Sequence, residues 1–195
     1  QTQNVTRQEV REDVVGWWDP LAQSFMPQAK GGEFITKVDV YFGHRDETLP
    51  VSCQIREMSN GYPTTKVLPF ASKTLEPYAD GTVSYTAGST TITGSGTEFT
   101  KELRAGMQVT IEDIGANGQD CLCNVVSVES DTAFTISGGS GPNGYTFTGG
   151  VPGSSGSGKW YSLVNTAPDT GDAKTTFVFD APVYVKDGVE YCLSL

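Results

Sequence analysis

The chain has 195 residues, a formal net charge of -10, and 37% apolar against 18% charged residues. That length can bury a core in one large or two small domains, while the negative charge repels nucleic-acid phosphates and anionic membrane surfaces, so neither is an expected partner. No apolar run is long enough to span a bilayer, and Gln1 to Asn4 opens a polar segment without the apolar centre of a signal peptide.

Gly, Ser and Thr are abundant beside 10% aromatic residues, a balance that suits short strands joined by many turns. The expected class is all-β. Cys53, Cys121, Cys123 and Cys192 are spread too thinly for a disulfide-built scaffold, and a reduced, intracellular site of synthesis fits them.

Residues 1–16 read as an N-terminal arm, since TRQEVREDVV from Thr6 to Val15 is polar with few apolar anchors. WWDPLAQSF follows, and Pro20 biases Asp19 towards an extended backbone, so the chain is expected to enter its first domain there, fixed by Trp17 and Trp18. Three strand-like runs come next: FITKVDVYFG (34–43), VSCQIREM (51–58) and KVLPFASKTL (66–75). In the first, alternation assigns Phe34, Thr36, Val38, Val40 and Phe42 to the core, and Ile35, Lys37, Asp39 and Tyr41 to the other face. Asn60-Gly61 signals a hairpin turn, and Pro63 is read as a strand stop after it.

From 80 to 150 the composition shifts to Gly, Ser and Thr with shorter runs, TVSYTAG, TTITGSG, MQVTIEDI, CLCNVVSVES and TAFTISG, which read as an inserted small β-barrel or sandwich folding alone. VPGSSGSGK (151–159) reads as a flexible Gly/Ser linker. The tail TTFVFDAPVYVKDGVEYCLSL returns to the earlier strand pattern, with a turn at Asp187-Gly188. The expected architecture is therefore an antiparallel β-sandwich host built from 17–79 and 160–195, carrying the insert. Because Tyr191 to Leu195 reads as a strand, a processing boundary is expected at the chain's end.

Taken together, WWDPLAQSF, GGEFITKVDVYF, LPVSCQIREMSNGYPTTKVLPFASKTLEP and FVFDAPVYVKDGVEYCLSL resemble a β module of tail-fibre and baseplate-associated virion proteins of large contractile-tailed bacteriophages, including those of marine cyanobacteria. The resemblance covers Trp17 to Pro77 and Thr175 to Leu195. In that family the stretch between the VLPF strand and the last hairpin is short, whereas here it carries the insert, so the insert's role does not follow from the family. The insert, with GSGTEF and GMQVTI, is itself similar to small β modules of phage tail proteins. The resemblance implies an assembly role in the virion after synthesis in the host cytoplasm, sibling subunits and tail or baseplate proteins as partners, a homotrimer, and no catalytic residues.

The residues themselves offer little chemistry. His44 is the single histidine, and in GHRDET it reads as a solvated turn residue, since no G-x-S-x-G nucleophile motif accompanies it. Asp46, Glu47, Glu57, Glu112 and Asp113 supply carboxylates that a glycosidase pairing requires, but acidic residues are common here for solubility. Cys121 and Cys123 face one side of a strand and read as small buried hydrophobes, because C-x-C alone is too little for structural zinc. Asp113, Asn117 and Asp120 loosely suit a hard cation, but Asn117-Gly118 reads first as a hairpin turn. No catalytic, cofactor or metal site is expected. Trp17, Trp18 and Pro20 are the expected intersubunit contact. The alternative is a receptor-binding module in which Tyr145, Trp160 and Tyr161 stack on a host surface glycan.

Overall fold

The computed structural model describes residues 21–140, 152–166 and 173–195. The expected arm, Trp17, Trp18, Pro20 and Tyr145 lie outside the described residues.

The fold is all-β. In β3 (Val51–Ser59) the alternation buries Cys53 and Ile55 completely. Asn60 and Gly61 both adopt positive φ, the twist that a two-residue hairpin needs, and return the chain as β4 (Tyr62–Leu75). Pro63 does not stop a strand; it pairs with Met58 inside β4. That is tolerated because β4 edges the sheet β1-β13-β3-β4, where a missing N–H leaves no ladder partner waiting. β1 (Ala22–Phe25) forms the other edge and β13 (Tyr191–Ser194) lies between it and β3, with Phe25 and Tyr191 in ring contact at 6.0 Å. β2 (Glu33–Tyr41) pairs antiparallel with β12 (Lys174–Val185). Phe177, Phe179, Val183 and Val185 of β12 join Cys53, Ile55, Leu68 and Ala71 in one buried cluster, so the two sheets form a sandwich.

Periodicity misplaces one part of β2. Phe34 is 67% exposed, and the partly buried residues packing on the core are Ile35, Val38, Val40 and Phe42. The register explains it: Val178 pairs with Lys37 and Val183 with Ile35, so Phe179–Pro182 stand opposite Thr36 alone and the facing set switches across this bulge.

The insert is a seven-stranded antiparallel sheet ordered β10-β5-β6-β9-β8-β7-β11. β5 (Thr82–Tyr85), β6 (Thr91–Ser95), β7 (Gln108–Ile111), β8 (Cys121–Ser130) and β9 (Ala133–Ser140) fall on the expected runs. A single helical turn, α1 (Phe99–Glu102), was not foreseen; it inserts Phe99 against Phe134 and Tyr161 at centroid distances of 4.8 and 5.6 Å, both edge-on.

The described part of the expected linker, 152–159, is structured. Gly156–Lys159 form β10 on β5, and Tyr161–Ser162 form β11 on β7. One continuous return segment therefore edges the sheet at both ends, curling it into a half-barrel. The glycines there serve packing: a Cβ on Gly156 would lie 2.5 Å from the Tyr85 ring, and one on Gly153 would lie 2.6 Å from the Ala116 backbone. Gly158, at φ +67, absorbs the one-residue bulge between Gly156↔Tyr85 and Lys159↔Val83. The insert's sheet thus extends past 150 to include β10 and β11, ending at Ser162. Its buried residues are continuous with those of the sandwich in the same cluster.

Candidate functional site

A set of long-range side-chain hydrogen bonds meets where the chain crosses between sandwich and insert. After β2, Asp46 Oδ1 accepts hydrogen bonds from the amides of Thr48 (2.7 Å) and Leu49 (3.0 Å) and from Thr48 Oγ1 (2.6 Å). The Thr48 hydroxyl first, then these amides, hold its carboxyl below the usual carboxylate range. This side-chain turn shapes the GHRDET loop around Arg45. Arg45 Nη1 donates to Pro77 O at 2.6 Å, in the outgoing crossing, and to Ser162 Oγ at 2.5 Å and Val164 O at 3.3 Å, in the returning one. Its guanidinium carbon sits 5.0 Å from the Tyr78 ring centre and 5.9 Å from that of Trp160, and the two rings meet edge-on at 4.9 Å.

A second group of bonds completes the joint. Fully buried Asn165 donates through Nδ2 to Gln108 O (2.8 Å) in β7 and to Lys174 O (3.0 Å) in β12. Its Oδ1 accepts from Thr110 Oγ1 at 2.8 Å, and Lys174 N donates to Gln108 Oε1 at 2.7 Å. Buried polar groups are costly unless satisfied, and here their satisfaction requires one placement of insert against sandwich.

Beside the joint, β4, β12, α1 and the connector to β5 line a cleft of about 490 Å³. Lys73 pairs with Asp180 across it at 2.8 Å, and Lys101 with Glu98 on its rim at 2.6 Å. Glu102 lines the cleft and is half-buried; desolvation raises its carboxyl above the ordinary carboxylate value, aided by Asp80 and Glu98 and opposed by a hydrogen bond from Tyr161 and by Lys73.

Of the described residues singled out by sequence, the structure pairs Glu112 with Trp160 and Asp113 with Asp120 but gathers them into no common site. Tyr161 is fully buried with its hydroxyl engaged by the insert's own residues, so it offers no face to a glycan; Trp160 is half-buried against Tyr78 and Arg45. His44 is exposed in the loop before β3. Glu57 pairs with Lys66 at 2.5 Å across β3 and β4. Glu112 Oε2 accepts the Trp160 amide at 3.0 Å and Asp113 is bonded by Lys159, so both fasten the return segment. Asp120 accepts the Asp113 amide at 2.9 Å, and Gly118 closes a turn by donating to Gly115 O at 3.1 Å while itself adopting φ +68. The loop is thus a turn of Gly115–Gly118 that ends on a left-handed glycine, a longer hairpin than the Asn-Gly pair alone signals.

Cys121 and Cys123 are buried on the same face, and all four thiols are free. Burial pushes Cys53 up to about 12, Cys121 up to about 11 and Cys123 well above the ordinary thiol value. None is poised as a thiolate ligand or nucleophile.

Sequence reasoning did not single out Arg45, or the exposed aromatics of the sandwich. Phe34 and Tyr184 pair across β2 and β12 at 5.4 Å, and Phe70 is 68% exposed at φ +62. Comparison with family models, curated proteins and solved structures finds no match to this chain.

Proposed function

We propose that this protein is a virion structural component of a bacteriophage tail or baseplate, holding neighbouring subunits or fibres in place and carrying no catalytic activity. The observation that carries the reading is the joint: a sandwich completed by both ends of the chain grips the insert through Arg45, Asn165 and Gln108, so force on one part passes to the other. A bracket needs that property and a tethered enzyme or lectin domain does not. The likeness of WWDPLAQSF, PVSCQIRE, NGYP, VLPF and GVEYC to tail-fibre and baseplate modules supports it further. In this reading the partners are sibling subunits, arranged as a homotrimer, and other tail proteins. The glycan-binding alternative loses support because Tyr161 is withdrawn into the core.

The test is electron microscopy of intact virions with this protein labelled. Label at the tail or baseplate in threefold multiples is the expected result; label on the head, or absence from purified virions, contradicts it. Turnover of polysaccharide that vanishes on mutating a single carboxylate contradicts the non-enzymatic part.

A further inference from the structure

Lys159 and Asp113 meet where the return segment lies against the end of β7. Lys159 closes β10, paired with Val83 of β5 across the bulge that Gly158 absorbs, and its Nζ donates to Asp113 Oδ2. Asp113, just past β7, takes φ +55, a left-handed backbone uncommon for residues other than glycine. It is pinned there from both sides: its amide donates to Asp120 Oδ1 at 2.9 Å and its carbonyl accepts from Ser154 Oγ at 2.8 Å. A third group completes the set. Glu112 Oε2 accepts the Trp160 amide at 3.0 Å, while its Oε1 lies 3.9 Å from the same Lys159 Nζ. An amine, a carboxyl carbon beside it and a proton carrier oriented by a backbone N–H are thus set against one another, which is what nucleophilic attack by an amine requires. The Lys159 and Glu112 side chains are 26% and 28% exposed and that of Asp113 is 41%, so the group is largely covered but open on the Asp113 side.

We propose that Lys159 and Asp113 condense to an amide, a side-chain crosslink that fastens the return segment covalently to the end of β7. In the step, Lys159 Nζ attacks Asp113 Cγ. The C–N bond forms, one Cγ–O bond breaks, and the two protons that the ammonium gives up, carried by way of Glu112, leave with that oxygen as water through the open side. Ammonium and carboxylate become amide and water, so nothing is oxidised or reduced and the net charge is unchanged. The hydrogen bond to Asp113 first, then the charges of Asp113 and Glu112, hold the Lys159 ammonium above its ordinary value against desolvation, so the ion pair is the resting state and the amine is neutral in a small share of molecules. That share suffices, because the bond has to form once per molecule and well-oriented intramolecular partners react as though present at about 10⁵ M or more. A partly exposed ion pair by itself holds two segments weakly, whereas an amide keeps the half-barrel closed under tension. The crosslink suits the force-transmitting role proposed above and does not depend on it.

The experiment is the intact mass of the full chain, read when freshly purified and after incubation near neutral pH. The wild type should become lighter than its sequence by one water, in urea as well, and digestion should release a branched peptide joining Asp113 to Lys159, with no tryptic cleavage after Lys159. Lys159→Arg keeps the ion pair and should stay at its sequence mass, and Glu112→Gln should lose the water at least about 10²-fold more slowly. A wild type that stays at its sequence mass holds an ion pair only and overturns the proposal. So does a lost water that maps elsewhere, as to a cyclised Asp187-Gly188, or one that Lys159→Arg loses too. Equal rates in Glu112→Gln and wild type overturn the part given to Glu112. If a variant fails to fold, the wild-type mass and its branched peptide decide alone.

Discussion

Arg45 shows how one side chain fixes a joint. Its Nη1 serves two crossings at once and its guanidinium carbon sits 5.0 and 5.9 Å from two ring centres, so Arg45→Ala removes a charged donor and leaves Pro77 O and Ser162 Oγ only their bonds to each other and to Val164. A loss of about 2–3 kcal/mol in urea unfolding is expected. Arg45→Lys should recover only part of it, because an ammonium can replace the one donating nitrogen but not the guanidinium's contact with the Tyr78 and Trp160 rings. At Phe70 the sign reverses. A bulky residue at φ +62 is strained, and its side chain is mostly in water, so Phe70→Gly should stabilise the chain by about 0.5–1 kcal/mol in the same assay. Thiol chemistry gives a third check: Cys53, Cys121, Cys123 and Cys192 are buried, so the native protein should react with a thiol reagent far more slowly than the urea-unfolded chain. Rapid native labelling of Cys121 or Cys123 would show the insert's core to be open.

At the scale of elements, what decides packing is often where a side chain is missing. Gly94 in β6 faces Thr97 Oγ1 and the Phe99 ring, with the ring 2.7 Å from where a Cβ would stand, so Gly94→Ala should displace α1 and cost about 1–3 kcal/mol through overpacking. The return segment follows the same logic. A fragment of residues 80–150 lacks β10, β11 and the Tyr161 ring that Phe99 packs against, so its amides should exchange much faster than those of a fragment of residues 76–166. Equal protection in the two would contradict the closing role of the segment. These cases also show why sequence reading reached some elements and not others. β3, β5, β7 and β8 were legible because each keeps an unbroken register with at least one of its two neighbours. Ile35 replaced Phe34 as a core contact because of a bulge in β12, the partner strand, which β2 itself does not encode. GSGK read as a linker because glycine signals freedom in isolation, whereas here it makes room for Tyr85. Arg45 lay in a polar turn, and nothing local distinguishes an arginine that reaches across a joint from one in solvent.

The described residues form a sandwich and a half-barrel sharing one continuous buried cluster, joined by two crossings and the polar network around Arg45 and Asn165. Among the described residues the most exposed aromatics, Phe34, Tyr41, Tyr62, Phe70 and Tyr184, lie on the sandwich strands, while Trp160 and Tyr161 of the insert's closing segment face the joint and the core. The central claim is that insert and sandwich move as one rigid body, as a structural bracket requires. Nitrogen-15 relaxation of the full chain measures it most directly. Amides of β5 to β9 and amides of β3, β4 and β12 should report the same rotational correlation time, and Arg45→Ala should separate the two values. A wild-type insert tumbling faster than the sandwich would contradict the claim.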